Sequence, residues 1–382
     1  MKKFVIAIDS FKGSLSTFEA GNAVKESINR VFLNADVIVL PVADGGEGTT
    51  EAVVSATDGE YVTATVTNPL GEKMQSRYGI IPQRKTAVIE MSEAAGITLV
   101  DEKDRNPLNT TTFGVGEMIA DAISKGCRKF IIGIGGSATN DGGVGMLQAL
   151  GFEFLDKNKN QVALGAKGLE NIVEIKTENS LKELKDCEFC VACDVKNVLC
   201  GEFGCSKIYG PQKGATDKMI KDMDLWLGKY ASLTKSVVPS ADAMAPGTGA
   251  AGGMGFALMA YLNATLTSGI ELVMKETGLE KHIKDADVVV TGEGRLDGQS
   301  YMGKAPTGIA KLAKKYGKTV IAFSGCVTEE AVVCNDHGID AFFPILRTPC
   351  TLSEAMDKNK AYKNLKDTAL QVFKLLKATM GE

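Results

Sequence analysis

Histidine is nearly absent from this 382-residue chain, with two in all, and tryptophan occurs once. A soluble enzyme so poor in imidazole must take its acid–base chemistry from carboxylates and lysines. That argues against hydrolase triads and histidine-ligated metals. Charge of either sign is not in surplus: 43 Lys and Arg face 47 Asp and Glu, a formal −4. A duplex nucleic-acid binder needs clustered excess Lys and Arg, so no nucleic-acid partner is expected. Long apolar runs are missing too; none approaches the roughly 18 residues of a membrane span. Phe4 to Ile8 gives only five apolar residues before Asp9, too few for a signal-peptide core. The chain therefore reads as cytoplasmic, with no membrane partner.

What is present is an ordinary globular composition, 44% hydrophobic and 24% charged, with 42 glycines as the one excess. At roughly 150 residues per domain, the length suggests two domains or three. Strand–loop–helix alternation at the start (strand Lys3–Ile8, helix from about Thr17 to Val31, strand Val37–Val42, helix about Thr49–Ala56) marks a parallel α/β sheet. Residues 60–100 hold short runs joined by turns such as Asn68-Pro69-Leu70-Gly71, and read as antiparallel. Alternation returns with strands at Asp287–Val290, Thr319–Phe323 and Ala341–Ile345 and helices at Pro306–Tyr316 and Leu352–Lys377. The expected architecture is α/β: a Rossmann-like parallel-sheet domain built from both chain ends (1–65 and 265–382), with a second α/β domain (66–264) inserted.

Nine cysteines include the run Cys187-x2-Cys190-x2-Cys193, which at first sight suggests zinc or iron–sulfur. On a strand, however, Cys187 and Cys193 face one way and Cys190 the other, so the three cannot converge on one ion. They read as small buried hydrophobes.

The main signal is a set of loops in which carboxylates sit among glycines: Asp44-Gly-Gly-Glu47-Gly48, Asn140-Asp141-Gly-Gly143 and Gly292-Glu293-Gly294-Arg295-Leu296-Asp297-Gly298. Gly247-Thr-Gly249-Ala-Ala-Gly252-Gly253, without acids, precedes a helix and reads as flexible, a candidate hinge. Glycines let backbone N–H groups approach phosphate, and adjacent carboxylates would repel it unless a divalent cation lies between. Carboxylate, Mg2+ and phosphate are the parts of phosphoryl transfer. Gly298-x4-Gly303-Lys304 falls short of a P-loop, since Ala305 replaces Ser or Thr, but Lys304 stays a candidate for phosphate or substrate. Gly133-x-Gly135-x-x-Ala138 follows a strand as a dinucleotide fingerprint would, although Asn140–Gly143 interrupts the helix start. Asp194 closes the strand Cys187–Cys193, where open α/β sheets carry functional groups. Asp9, Ser10 and Lys12 hold the same kind of position after the first strand, and Arg295 suits bidentate carboxylate recognition. Glu90 and Glu93 read as helix caps.

Taken together, Asp9-Ser-Phe-Lys-Gly-Ser14, Ala43-Asp-Gly-Gly-Glu-Gly-Thr49, Asn68-Pro-Leu-Gly71, Gly135 to Gly143, Gly210-Pro-Gln-Lys-Gly214 and Thr291 to Asp297 resemble the bacterial type-1 glycerate kinase family, in the family's order and over essentially the whole length. The resemblance implies ATP-dependent phosphorylation of D-glycerate with Mg2+, 2-phosphoglycerate as product, and an active site in a cleft between two α/β domains. Kinases acting on the 3-hydroxyl share the general name.

Within that frame Arg295, with Lys12, Asp9, Ser10 and Lys304, is expected to bind substrate. ATP phosphates are expected on Gly135, Gly136, Ser137, Thr139, Asn140, Asp141, Gly249, Gly252 and Gly253. Asp44, Glu47 or Asp297 would hold Mg2+, Asp194 or Asp297 would accept the hydroxyl proton, and Lys12 would assist. A monomer or homodimer acting on ATP and D-glycerate is expected. The competing classes are a nicotinamide-dependent hydroxy-acid dehydrogenase, a non-catalytic sensor of small acids and, more remotely, a metal–thiolate protein.

Overall fold

In a computed structural model, residues 2–301 and 303–379 are described. The chain divides into two compact units, Met1–Asp44 with Glu51–Thr57 and Ile270–Glu382, and Gly45–Thr50 with Asp58–Gly269. The limits differ from the expected 65 and 265, and pairing explains why. Glu60–Thr67 pairs with Lys73–Ile81 along its whole length, so the strand lies entirely in the second unit. Thr265–Thr267 pairs with Cys190–Ala192 and carries that unit on to Gly269.

The first unit is a five-stranded sheet, every neighbouring pair parallel, in the spatial order Ala341–Pro344, Thr319–Val327, Val288–Leu296, Lys3–Ile8, Asp36–Val39. Numbered along this unit the order is 2-1-3-4-5, a doubly wound α/β arrangement whose direction reverses between the first and third strands. Alternation divides the first strand: Phe4, Ile6 and Ile8 enter one apolar cluster with Val24 and Ile28 of the helix Thr17–Val31 and Leu365 and Phe373 of the helix Lys358–Thr379. A capping box starts the earlier helix, Ser16 Oγ accepting the Glu19 N–H while Glu19 accepts the Ser16 N–H. Its partner at the chain's other end is tied to it by Tyr362 donating to Glu26 (2.8 Å) and by a Lys366–Glu26 ion pair (2.7 Å).

One expectation needs correction here. Gly292 to Leu296 is not loop but the second half of the strand Val288–Leu296, because it continues in register against Phe323 to Val327. Glycine is required at 292, where a Cβ would come within 2.1 Å of the Phe323 carbonyl oxygen.

The second unit is a six-stranded mixed sheet. Its parallel part runs Thr265–Thr267, Glu188–Ala192, Lys129–Gly133, Thr86–Glu90, and an antiparallel meander adds Lys73–Ile81 and Glu60–Thr67. The region read as antiparallel thus has that character, except that Thr86–Glu90 also pairs in parallel with Lys129–Gly133. Helices Phe113–Ser124 and Asp217–Val237 bring Val115, Met118, Met223 and Leu227 to this unit's core. Among the described residues no helix is long and apolar enough to cross a membrane.

Phe373 is fully buried, with its ring edge-on to Phe4 at 5.7 Å and close to Phe323 at 6.3 Å. Phe373→Ala removes the wedge between C-terminal helix and sheet and should cost about 3–5 kcal/mol, read from denaturant unfolding.

Candidate active site

Ligands of open α/β sheets bind beyond the carboxyl ends of the strands at the point where strand order reverses. In the first unit that point lies between Lys3–Ile8 and Val288–Leu296, and a cavity of about 610 Å3 opens there. One side is charged. It carries Asp9, Ser10 and Lys12 from the end of the first strand, Asp44 from the segment after the second, Glu293 and Arg295 from the third strand with Asp297 just past it, and Lys304 before the helix Ala305–Lys315. The sequence candidates Asp9, Ser10, Lys12, Asp44, Arg295, Asp297 and Lys304 are therefore brought together.

The charges are linked. Lys12 pairs with Asp44 at 3.7 Å, and Arg295 Nε lies 3.6 Å from Asp297. Lys304 Nζ bridges Asp297 (3.6 Å) and Glu293 (3.8 Å), and Ser300 donates to Glu293 at 2.8 Å. Four carboxylates against three cations leave the cavity short of positive charge, and the consequences differ by depth. Asp9 is buried; burial first, then the charges of Asp44 and Glu293, lifts it to about 7, against the pull of the Ser10 N–H and Lys12. Glu293 reaches about 7 by burial, reinforced by Asp297 and Asp44. Asp297 moves the other way: burial opposes the shift, but the Gln299 N–H, Lys304 and Arg295 hold it below its ordinary value. Glu293 was not among the sequence candidates. Its flanking glycines hide the strand period, and its place beside Ser324 follows only from sheet pairing.

Two glycine-rich loops of the second unit meet each other. Gly142 N–H donates to the Gly252 carbonyl at 2.9 Å. A Cβ at Gly252 would sit 2.1 Å from the Thr139 oxygen, at Gly253 2.8 Å from Gly142 Cα, and at Gly249 2.2 Å from the Val198 oxygen. These three glycines are buried and serve close backbone packing, so residues 247–253 are a packed segment rather than an open hinge. Asp141 is fully buried and accepts from the Thr112 N–H (2.8 Å) and hydroxyl (2.9 Å) and from the Gly143 (3.1 Å) and Gly145 (3.3 Å) N–H groups. Its carboxylate holds the loop, and burial still raises its pKa. Asn140 donates to Ser206, while Lys213, also buried, donates to Ser137 Oγ (2.8 Å) and the Thr139 carbonyl (2.6 Å). Burial lowers Lys213 to about 8. Of the expected phosphate residues only Gly135 and Gly136 are exposed.

Asp194 stands just beyond the strand Glu188–Ala192, exposed, and accepts the Gly269 N–H at 3.1 Å. Glu47 is exposed in the loop Gly45–Gly48, where Gly45 abuts Ala192 and Gly46 abuts Gly135. Glu90 accepts the Thr50 N–H at 2.7 Å, a cap as expected, on the first turn of the helix Thr49–Ala56. Among the described residues no group of three or more His, Cys, Asp or Glu side chains forms a ready metal cage. Mg2+ bound with a triphosphate asks for only one or two protein carboxylates, and the crowded acids beside Asp44 suit a divalent cation that would relieve their repulsion.

The lifted Asp9 makes a prediction for stability in chelator. Between its ordinary 3.8 and about 7 the folded state holds the extra proton, so stability falls as pH rises through that window. Asp9→Asn should therefore gain about 4 kcal/mol over the parent at pH 8 and almost nothing at pH 4 in thermal unfolding.

Comparison with known proteins agrees with this architecture. The family model described as the glycerate kinase family matches residues 4–377. A glycerate kinase from Haemophilus influenzae is 47% identical over 374 residues, 98% of each chain. A glycerate 2-kinase from Escherichia coli is 48% identical over 363 residues, 95% of each. A crystal structure of a candidate glycerate kinase 2 from Salmonella typhimurium LT2 superposes with TM-score 0.90 at 45% identity, covering 100% of both chains. A carboxylate-rich cavity at the switch point of a doubly wound sheet, in a chain matched to these relatives from end to end, makes the protein a kinase that belongs to the glycerate kinase family.

Proposed function

We propose that the protein transfers the γ-phosphoryl group of ATP to the 2-hydroxyl of D-glycerate, giving 2-phosphoglycerate and ADP. The observation that carries this reading is the first unit's charged cavity, where a carboxylate lifted to about 7 shares a wall with Lys12, Arg295 and Lys304. The name of the Escherichia coli relative, glycerate 2-kinase, supports the 2-position.

Arg295, two-thirds exposed at its side chain, offers a planar fork to the glycerate carboxylate, and Asp297 steadies it. Asp9 is the proton acceptor: a base poised near neutral pH combines a useful ionised fraction with driving force for the transfer. Its ionised form is held by the Ser10 N–H at 2.7 Å and by the charge of Lys12. Lys304, between Glu293 and Asp297, is placed to meet charge on the transferring group. Mg2+ accompanying the triphosphate would be held by Asp44, with Glu47 three residues further along the same loop, and would neutralise charge on the phosphoryl oxygens. Asp194, exposed at the end of a parallel strand, is the second candidate for the base.

Phosphorus NMR of protein with Mg-ATP and D-glycerate should show a phosphomonoester growing with ADP, its phosphorus coupled to one proton. Coupling to two protons would give the 3-kinase, and intact ATP would remove the kinase reading. Asp9→Asn should cut kcat by about 10^2–10^4, with Asp194→Asn changing it far less; the reverse ranking would assign the base to Asp194. Arg295→Lys should raise KM for glycerate about tenfold with a smaller change in kcat, and an unchanged KM would place the carboxylate elsewhere.

A further inference from the structure

The cavity of the first unit has a second wall that a three-carbon acid does not need. Besides the charged side chains it is lined by Leu346, Leu352, Ala355 and Met356, and by the buried Phe11 and Ile345. Leu352 is 78% exposed, and Leu346 and Met356 are each 37% exposed. These side chains come from the tight turn after the first strand, the segment after the last strand, and the short helix Leu352–Met356, where Met356 closes over Gly13. Asn364, from the helix Lys358–Thr379, places a carboxamide on the same cavity.

A volume of about 610 Å3 that combines apolar side chains with a charged cluster has the size of a site for a drug-sized ligand. Glycerate is hydroxyl and carboxylate on almost every atom and would leave that wall wet. A nucleotide has both characters: a flat apolar base with hydrogen-bonding edges, and a polyanion. In the second unit, by contrast, the glycines at 249, 252 and 253 are closed against backbone, and Asp141 is spent on Thr112 and its own loop.

We infer that the purine base of the nucleotide lies on the apolar wall formed by Leu346, Leu352 and Met356, with its phosphates directed toward Lys12 and Lys304. The inference rests on the kinase reading for the presence of a nucleotide, and assigns it a place. Burial on aliphatic carbon supplies the affinity. The Asn364 carboxamide offers a donor and an acceptor to the base edge. Lys12 and Lys304 sit on the side where the reacting acid is proposed, so the terminal phosphate would point at the acceptor.

Two exposed thiols make the assignment measurable, since Cys326 and Cys350 both line this cavity. Cys326 lies on the strand beside Arg295, and Cys350 just precedes the helix of the apolar wall. In the full-length protein, Mg-ADP should slow iodoacetamide labelling of Cys350 about fivefold or more by mass spectrometry, whereas D-glycerate alone should not. The double variant Leu352→Gln, Met356→Gln changes only side chains that already face solvent in part. It should raise KM for ATP about tenfold and leave KM for glycerate within about twofold. Glycerate phosphorylation with no Cys350 protection and an unaltered KM for ATP would overturn the inference while leaving the kinase reading intact. Protection without the KM change would overturn it too, because remote shielding slows labelling without using the wall. Protection and loss of ADP binding in the double variant, in a protein that never phosphorylates glycerate, would keep the nucleotide site and remove the acceptor.

Discussion

Five residue pairs between the first strand and Val288–Leu296, from Phe4 with Val288 to Ile8 with Gly292, join the two ends of the chain. Everything at the candidate site follows from that parallel pairing. It sets the point where strand order reverses, leaves the carboxyl ends of both strands without a covering connection, and brings Asp9 and Glu293 to one cavity. The helices Thr17–Val31 and Lys358–Thr379 then seal one face of the sheet, so the chain's end is as much a part of this unit as its beginning.

The cavity shows what that geometry costs. Four carboxylates against three cations, two of them lifted to about 7, form an arrangement that folding alone would not select. Charge crowding of this kind is expected where a polyanion and a divalent cation are to be received, since both alter the local electrostatics when they arrive. The chain's poverty in histidine is consistent with this. Burial and like-charge neighbours bring carboxylates into the pH range that imidazole would otherwise supply.

Glycine turned out to serve two physical purposes that look alike in a sequence. Gly135 and Gly136 stay open, whereas Gly249, Gly252 and Gly253 are consumed where two backbones approach more closely than any side chain allows. Asp141 is similar: a carboxylate among glycines, but one fully enclosed by donors from Thr112 and from Gly143 and Gly145 of its own loop. Local spacing cannot separate a glycine that admits a ligand from one that admits another loop, because the distinction lies in a partner distant along the chain.

Much was legible beforehand. Alternating short apolar runs and helical periods gave the α/β class, the parallel sheet from both termini and most element positions, because those patterns are local consequences of burial on a strand or helix face. The family motifs, read in order, gave the kind of reaction. Asp9, Lys12, Asp44, Arg295 and Asp297 were marked by residue type and place after a strand, and Lys304 by an incomplete P-loop spacing. The sequence could not show that these six share one cavity, that Glu293 joins them from within a strand, or that Leu352 and Met356 complete its apolar wall. Those facts were decided by tertiary structure, because pairing register and helix docking juxtapose residues hundreds of positions apart, and a carboxylate's pKa depends on the burial and charges so assembled rather than on its sequence neighbours.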